Sequence, residues 1–319
     1  MRVLTFNSHQ PYIHLLATSL SWTLGVVAPR LPSGRLKSWD ERIRPVPENV
    51  RFFPSLQEAV SLARWDWILT HNIHDLLDCR ASRLPKVFLV HGTLSGRILQ
   101  DRSRVDREEY LEGVKVLLNA SRCAVVYISQ LKQQDWGLPG TVIRHGIDPS
   151  LYGGYAGDLP GVLQVANRLR ERNELLGWDT HRFVCRDLPV LLMGDNPRLP
   201  GARMGESWED LKEQYRRTRV YLHTSVYPHE DGYNLALLEA MATGMPVATM
   251  DHPTSPVRNG LEGIVASSPE ELRAGVIRLL NDAEEARRLG AGARLRVETE
   301  FSISKFRSSW QALAERIVS

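Results

Sequence analysis

Eleven short runs of apolar and β-branched residues recur along this chain of 319 residues, and they constrain the fold more than any other feature. In the first half they fall at residues 3–6, 24–28, 67–70, 87–90, 124–128 and 142–143. In the second half they fall at 162–165, 190–193, 220–223, 247–250 and 264–265. Runs this short and this uniformly apolar suit strands buried on both faces, which is the signature of parallel sheets. Segments with helical character separate many of them, so the expected class is α/β with parallel sheets.

The length suits two domains rather than one. Residues 148–161, with Gly153, Gly154, Gly157, Pro160 and Gly161, make the best linker. The expected division is 1–150, 151–300 and a terminal helix over 301–319. Two Rossmann-like sheets of similar size then face each other across a cleft, with ligands outside the carboxyl ends of the strands. Toward the C-terminus, Ser268, Pro269, Glu270 and Glu271 form a capping-box signature. Leu272, Val276, Leu279 and Leu280 follow at helical spacing. Phe306, Trp310, Leu313 and Ile317 mark a last amphipathic helix.

Bulk properties exclude several function classes. A net charge of +3 is too small for a nucleic-acid protein. Arg97, Arg102, Arg104 and Arg107 are interleaved with Asp101, Asp106, Glu108 and Glu109, as on a solvated helix face. Cys79, Cys123 and Cys185 are few, odd in number and far apart, which argues against a disulfide framework or a zinc site. The first residues show no signal-peptide pattern, and no run is long enough to span a bilayer. The expected location is cytoplasmic, with contact to the inner face of a membrane left open.

The stretch DGYNLALLEAMATGMPV, residues 231–247, carries the chemistry. Residues 235–242 are strong helix formers, and Gly244 and Pro246 supply the stop. The helix begins near Tyr233 and Asn234, after a turn at Asp231 and Gly232. Its first N–H groups suit a phosphate. Asp231 sits at the mouth of that site and Glu239 about two turns deeper. Carboxylates beside a diphosphate repel it, so their useful partners are neutral hydroxyls, one set on a sugar ring and one on a ribose. By spacing alone, a helix cap at Asp231 and a solvated Glu239 remain the commoner reading.

The stretch resembles the donor-site signature of retaining GT-B glycosyltransferases of family 4. Val257–Val265 is similar to the loop and strand after that site, residues 215–225 to the approach, and Arg144–Asp148 to the turn ending the first domain. The resemblance covers roughly residues 140–310. It implies a hexose transferred from a nucleotide-diphosphate sugar, UDP-sugar favoured over GDP-sugar, to a glycan, lipid or small-molecule acceptor. No metal and no separate cofactor are implied. Asp231 then contacts the sugar, Gly232, Tyr233, Asn234 and Leu235 line the phosphate turn, and Glu239 holds the ribose. The departing diphosphate is stabilised by groups already in place. Here Asp replaces the family's first Glu, and Tyr233-Asn234 replaces Phe-Gly.

In that family an Arg and a Lys follow the first strand of the second domain. Arg168 occupies the first position. Arg172, or Arg170 as second choice, stands in for the Lys. In the first domain, His91 closes a strand where family members often carry a histidine near the reacting centre, and a structural role weighs equally. His71 and His74 follow another strand, and without further ligands nearby a metal is disfavoured. The turn after the first strand lacks the family's glycines, so Ser8 and His9 are expected on the acceptor side, and His71, in place of a metal role, is expected there too. Two other readings remain open, a non-catalytic GT-B partner or nucleotide-sugar binder, and a nucleotide-sugar epimerase.

Overall fold

A computed structural model of the chain describes residues 1–28, 37–101 and 106–319. Arg102 and Arg104, read as part of a solvated helix face, lie outside the described residues. The chain divides into two compact units, residues 1–144 with 304–319, and residues 145–303. The division thus falls before the glycine-rich segment rather than within it. That segment belongs to the second unit, where Arg294 donates to the carbonyls of Pro149 and Tyr152 at 3.2 and 3.0 Å.

The first unit contains strands β1 (Arg2–Phe6), β2 (Thr23–Val27), β3 (Val50–Phe53), β4 (Trp67–Thr70), β5 (Lys86–Val90), β6 (Cys123–Tyr127) and β7 (Thr141–Val142). They form one parallel sheet in the order β3-β2-β1-β4-β5-β6-β7. β4 and β5 are buried at every position, including Lys86 at the start of β5, whose ammonium donates to the carbonyls of Ser82 and Leu84. Strand β3 escapes the apolar-run criterion. It is an edge strand in which Val50 alone is fully buried, and Arg51 and Phe52 face solvent. Gly25 in β2 sits against the ring of Trp65, which leaves no room for a Cβ.

The helix Ile303–Val318 is amphipathic, and from residue 304 onward it counts with the first unit. Phe306, Trp310, Leu313 and Ala314 form its buried face, while Ile317 is half-buried. The Trp310 ring stacks on Trp67 at 6.2 Å and meets Trp22 edge-on at 6.5 Å. Its Nε1–H donates to Tyr12 Oη at 3.1 Å.

The second unit contains β8 (Leu159–Val165), β9 (Val190–Met193), β10 (Thr218–His223), β11 (Val247–Met250) and β12 (Gly263–Ala266). They form a parallel sheet in the order β12-β11-β10-β8-β9. Apolar clusters cover both faces. One holds Tyr215, Tyr221, Leu237, Leu238 and Met241, and the other Val162, Val220, Leu272, Val276 and Leu279. The Ser268 hydroxyl caps Pro269–Asn281 by accepting from the Glu271 N–H at 3.2 Å. The Glu271 carboxylate accepts from Ser267 N–H rather than from the cap residue itself.

In each sheet the order reverses direction once, between β1 and β4 and between β8 and β10. Such reversals open a crevice at the carboxyl ends of the strands, where ligands of doubly wound folds bind.

Candidate active site

The second unit places the acidic pair at its reversal point. β10 ends at His223, and residues 224–234 lead into the helix Leu235–Thr243. Asn234 is the N-cap, with extended φ and ψ, and its side-chain oxygen accepts from Leu237 N–H at 2.9 Å. The cap is therefore Asn234 and not Asp231. Leu235 and Ala236 present the remaining N–H groups of that turn, a ready site for an anion. Gly244, at φ 93°, ends the helix.

Asp231 and Glu239 are both buried, at 1% and 3% exposure, so neither is a solvated surface acid. Tyr215 Oη donates to Glu239 Oε2 at 3.3 Å. Asp231 N–H donates to the Glu230 carboxylate at 3.0 Å. Gly232 N–H donates to Thr254 Oγ1 at 2.8 Å, and a Cβ there would meet the His252 ring at 2.7 Å. Only glycine lets residues 252–255 approach so closely. Tyr233 turns its ring inward, edge-on to Phe301 at 5.2 Å and to His145 at 6.3 Å.

The arginines follow β8. Arg168 has a left-handed backbone, φ 52°, held by a bond from its N–H to Asp195 C=O at 2.8 Å. Asn196 fixes the same turn by accepting from Leu169 N–H at 2.8 Å. The Arg168 side chain is 60% exposed and lies 3.6 Å from Asp195. Arg170 is exposed. Arg172 is more enclosed, with Nη2 3.9 Å from Glu230 Oε2. Burial lowers its pKa from the ordinary value, and Glu230 opposes that shift. Glu230 thus touches both the backbone of Asp231 and the side chain of Arg172, a role sequence reading missed. Its one signal was its place beside Asp231.

Beneath this loop lies His223, buried at the end of β10. Burial pushes its pKa down to about 4, His252 adds to the shift, and Glu230 with a backbone bond at Asp231 opposes it. Burial likewise pushes His14 and His181 down to about 4, and Arg44 assists at His14. These histidines are neutral in the folded chain, while the unfolded chain takes up their protons below its ordinary value near 6.5. Stability is therefore complete above that value and falls as pH drops from there toward 4, by up to ~3 kcal/mol for each histidine. Urea midpoints should fall from pH 7 to pH 5, and His181→Gln should flatten that slope. An unchanged slope in the variant would remove His181 from the account.

The first unit brings together four residues that the sequence scatters. Ser8 and His9 follow β1, His71 follows β4, and His91 follows β5. His71 Nδ1 and His91 Nε2 are 2.8 Å apart, and the rings of His9 and His91 stack at 4.1 Å with 9° between planes. His71 Nε2 lies 2.9 Å from Thr5 Oγ1. Asp75 accepts from the Ser8 hydroxyl at 2.9 Å and from His71 N–H at 3.0 Å. Burial holds the His71 pKa well below its ordinary value, with His9 and Lys37 adding to the shift. Burial raises the Asp75 carboxyl, opposed by its bonds from His71, Ser8 and Asn72. His74 does not join the bonded group, and no metal-ligating cluster occurs among the described residues. Nor is any helix among them long and apolar enough to cross a membrane.

Comparison with known proteins adds to this geometry. Residues 204–296 match the family model described as glycosyl transferases group 1. No curated protein matches the chain in sequence. Among solved structures, sucrose-phosphate synthase from Thermosynechococcus elongatus is similar with a TM-score of 0.71 at 15% identity, covering 99% of this chain and 98% of that one. The Anabaena protein HepE, in complex with UDP and glucose, also reaches 0.71 at 16% identity, covering 99% and 100%. WaaG, a glycosyltransferase involved in lipopolysaccharide biosynthesis, reaches 0.66 at 14% identity, covering 99% of each chain. The two parallel-sheet α/β domains have the GT-B glycosyltransferase fold, and residues 204–296, which hold the acidic pair, match the glycosyl transferases group 1 family.

Proposed function

We propose that the chain is a retaining glycosyltransferase resembling family 4. It moves a hexose from a nucleotide-diphosphate sugar, a UDP-sugar before a GDP-sugar, to a glycan, lipid or small-molecule acceptor without a metal ion. The observation that carries this reading is the pair of buried acids, Asp231 and Glu239, on either side of a helix start capped by a third residue, Asn234. Two carboxylates kept dry beside an anion site suit a ligand that is anionic in its middle and hydroxyl-bearing at both ends. A nucleotide-diphosphate sugar is such a ligand.

In this reading the diphosphate meets the N–H groups of Leu235 and Ala236, with Gly232 and Tyr233 contributing backbone and Asn234 shaping the turn. Asp231 accepts from sugar hydroxyls and Glu239 from the ribose. Arg168 and Arg172 take up charge on the departing diphosphate, and its oxygen receives the acceptor's proton. His91 serves the transfer step, and Ser8 and His9 serve the acceptor. In this reading the transfer takes place in the cytoplasm, with contact to the inner face of a membrane left open.

Arg172 is held partly enclosed, whereas Arg168 is mostly solvated. Arg172→Ala should therefore weaken UDP binding by about 2 kcal/mol, roughly 30-fold in Kd. Arg168→Ala should cost less. Calorimetry on both variants checks the order, and a reversed order would move the main phosphate clamp to Arg168.

The reading is tested by offering UDP-glucose and GDP-mannose with glycan, lipid and small-molecule acceptors, with and without chelator. The expected outcome is release of nucleotide diphosphate only when an acceptor is present, undiminished by chelator, with the anomeric configuration of the donor kept in the product. Tight nucleotide binding without release in any combination would point to a non-catalytic binder. An altered sugar still attached to nucleotide would point to an epimerase.

A further inference from the structure

The histidines at the reversal point of the first sheet form a chain whose members dictate one another's protonation. A neutral imidazole has one N–H and one bare nitrogen. Only one proton fits between His71 Nδ1 and His91 Nε2 at 2.8 Å. If His71 supplies it, His71 Nε2 is bare and accepts from the Thr5 hydroxyl, and His91 carries its own proton on Nδ1. If His91 supplies it, both rings are in the opposite tautomer.

Thr5 decides between the two. Its side chain is wholly buried in β1, and its Oγ1 is bonded to His71 Nε2 at 2.9 Å. A buried hydroxyl proton needs an acceptor, and the bare Nε2 is the one at hand. Donation from Thr5 makes His71 the donor to His91. The rings also have little freedom to turn. The His71 backbone is tied to Asp75, which is tied in turn to Ser8. His9 lies flat on His91, and Tyr12 meets its edge at 5.1 Å.

We propose that Thr5 and His71 are positioning residues that hold His91 in the Nδ1–H tautomer and in one ring orientation, with its Nε2 lone pair engaged by His71 and so withheld from the reaction as a base. This rests on the reading that His91 serves the transfer. It gives His71 a different task from contact with the acceptor, since both of its ring nitrogens are used inside the unit.

Heteronuclear NMR of the imidazole nitrogens in the full chain tests the relay directly, with His91 assigned by its loss in His91→Asn. The wild type should show His91 protonated at Nδ1 and bare at Nε2. His71→Leu should release it into a mixture of tautomers. Thr5→Val, which keeps the shape of the strand, should do the same if His71→Leu fails to fold. His71→Asn, whose amide can still donate to His91 Nε2, should retain the single tautomer. Turnover, read as UDP released from UDP-glucose, should follow, with kcat roughly tenfold or more lower in His71→Leu, KM little changed, and recovery in His71→Asn.

A proton on Nε2 of His91 in the wild type overturns the proposal, as does a His91 spectrum unmoved in both His71→Leu and Thr5→Val. The activity of His91→Asn keeps the two claims apart. Full turnover in that variant overturns the role of His91 in the transfer. Reduced turnover there, with unchanged His91 resonances in both His71→Leu and Thr5→Val, overturns the relay alone.

Discussion

Replacing Asp231 by Asn should cut turnover of the nucleotide sugar by roughly 10- to 100-fold, the worth of a lost bond to a charged acceptor, while binding of the bare nucleotide diphosphate stays nearly constant. The substitution keeps the shape of the side chain. Asn234, not Asp231, caps the helix, so the anion site at its start should survive. Glu239→Gln should behave differently. Glu239 lies just over one turn into the helix, where Tyr215 Oη reaches its carboxylate. A ribose contact there is made equally in the ground and transition states, so its loss should weaken UDP and UDP-glucose alike. Calorimetry with both ligands on both variants decides. If Asp231→Asn weakens UDP as much as Glu239→Gln does, the division of labour between the two acids is wrong.

Trp310→Ala should lower the stability of the first unit by about 3–5 kcal/mol, the usual cost of deleting a large aromatic side chain from a packed interior. Trp310 is wholly buried among Trp22, Trp67 and Tyr12, so little can move in to refill the space. Trp310→Phe retains an aromatic ring and should cost less, losing part of the volume and the bond to Tyr12 Oη. Chemical denaturation followed by fluorescence should show this order. Equal stability of Trp310→Ala and the wild type would mean that the terminal helix does not help to hold the first unit together. Tyr12 also borders His91, so the alanine variant should disturb the His91 resonances as well.

The sequence alone determined much of the architecture. Eleven strands were legible as short apolar runs, most of them because a strand covered on both faces is predominantly apolar. Strand β3 was not, because an edge position lets Arg51 and Phe52 face water and erases the run. The helix Leu235–Thr243 was legible from helix formers between a polar start and Gly244, since propensity and capping act within a few residues. Sequence could not say which polar residue was the cap. Asp231, Tyr233 and Asn234 lie together at the start, and Asn234 takes the role because its backbone is extended one residue before the first turn.

The burial of Asp231 and Glu239 was likewise beyond the sequence, since a carboxylate in a helical pattern is usually solvated. Tertiary packing decides it: residues 252–255 close on Gly232, and Tyr215 Oη bonds to Glu239. The pairing of Arg172 with Glu230 joins turns from two strands adjacent in the sheet but distant in the chain. The relay through Thr5, His71 and His91 is the clearest case of tertiary decision. Each residue alone reads as an ordinary strand residue or a lone histidine. Parallel pairing of β1 with β4 and of β4 with β5 brings their carboxyl ends side by side, and it is this register, set by contacts far apart in sequence, that turns three scattered side chains into one bonded chain.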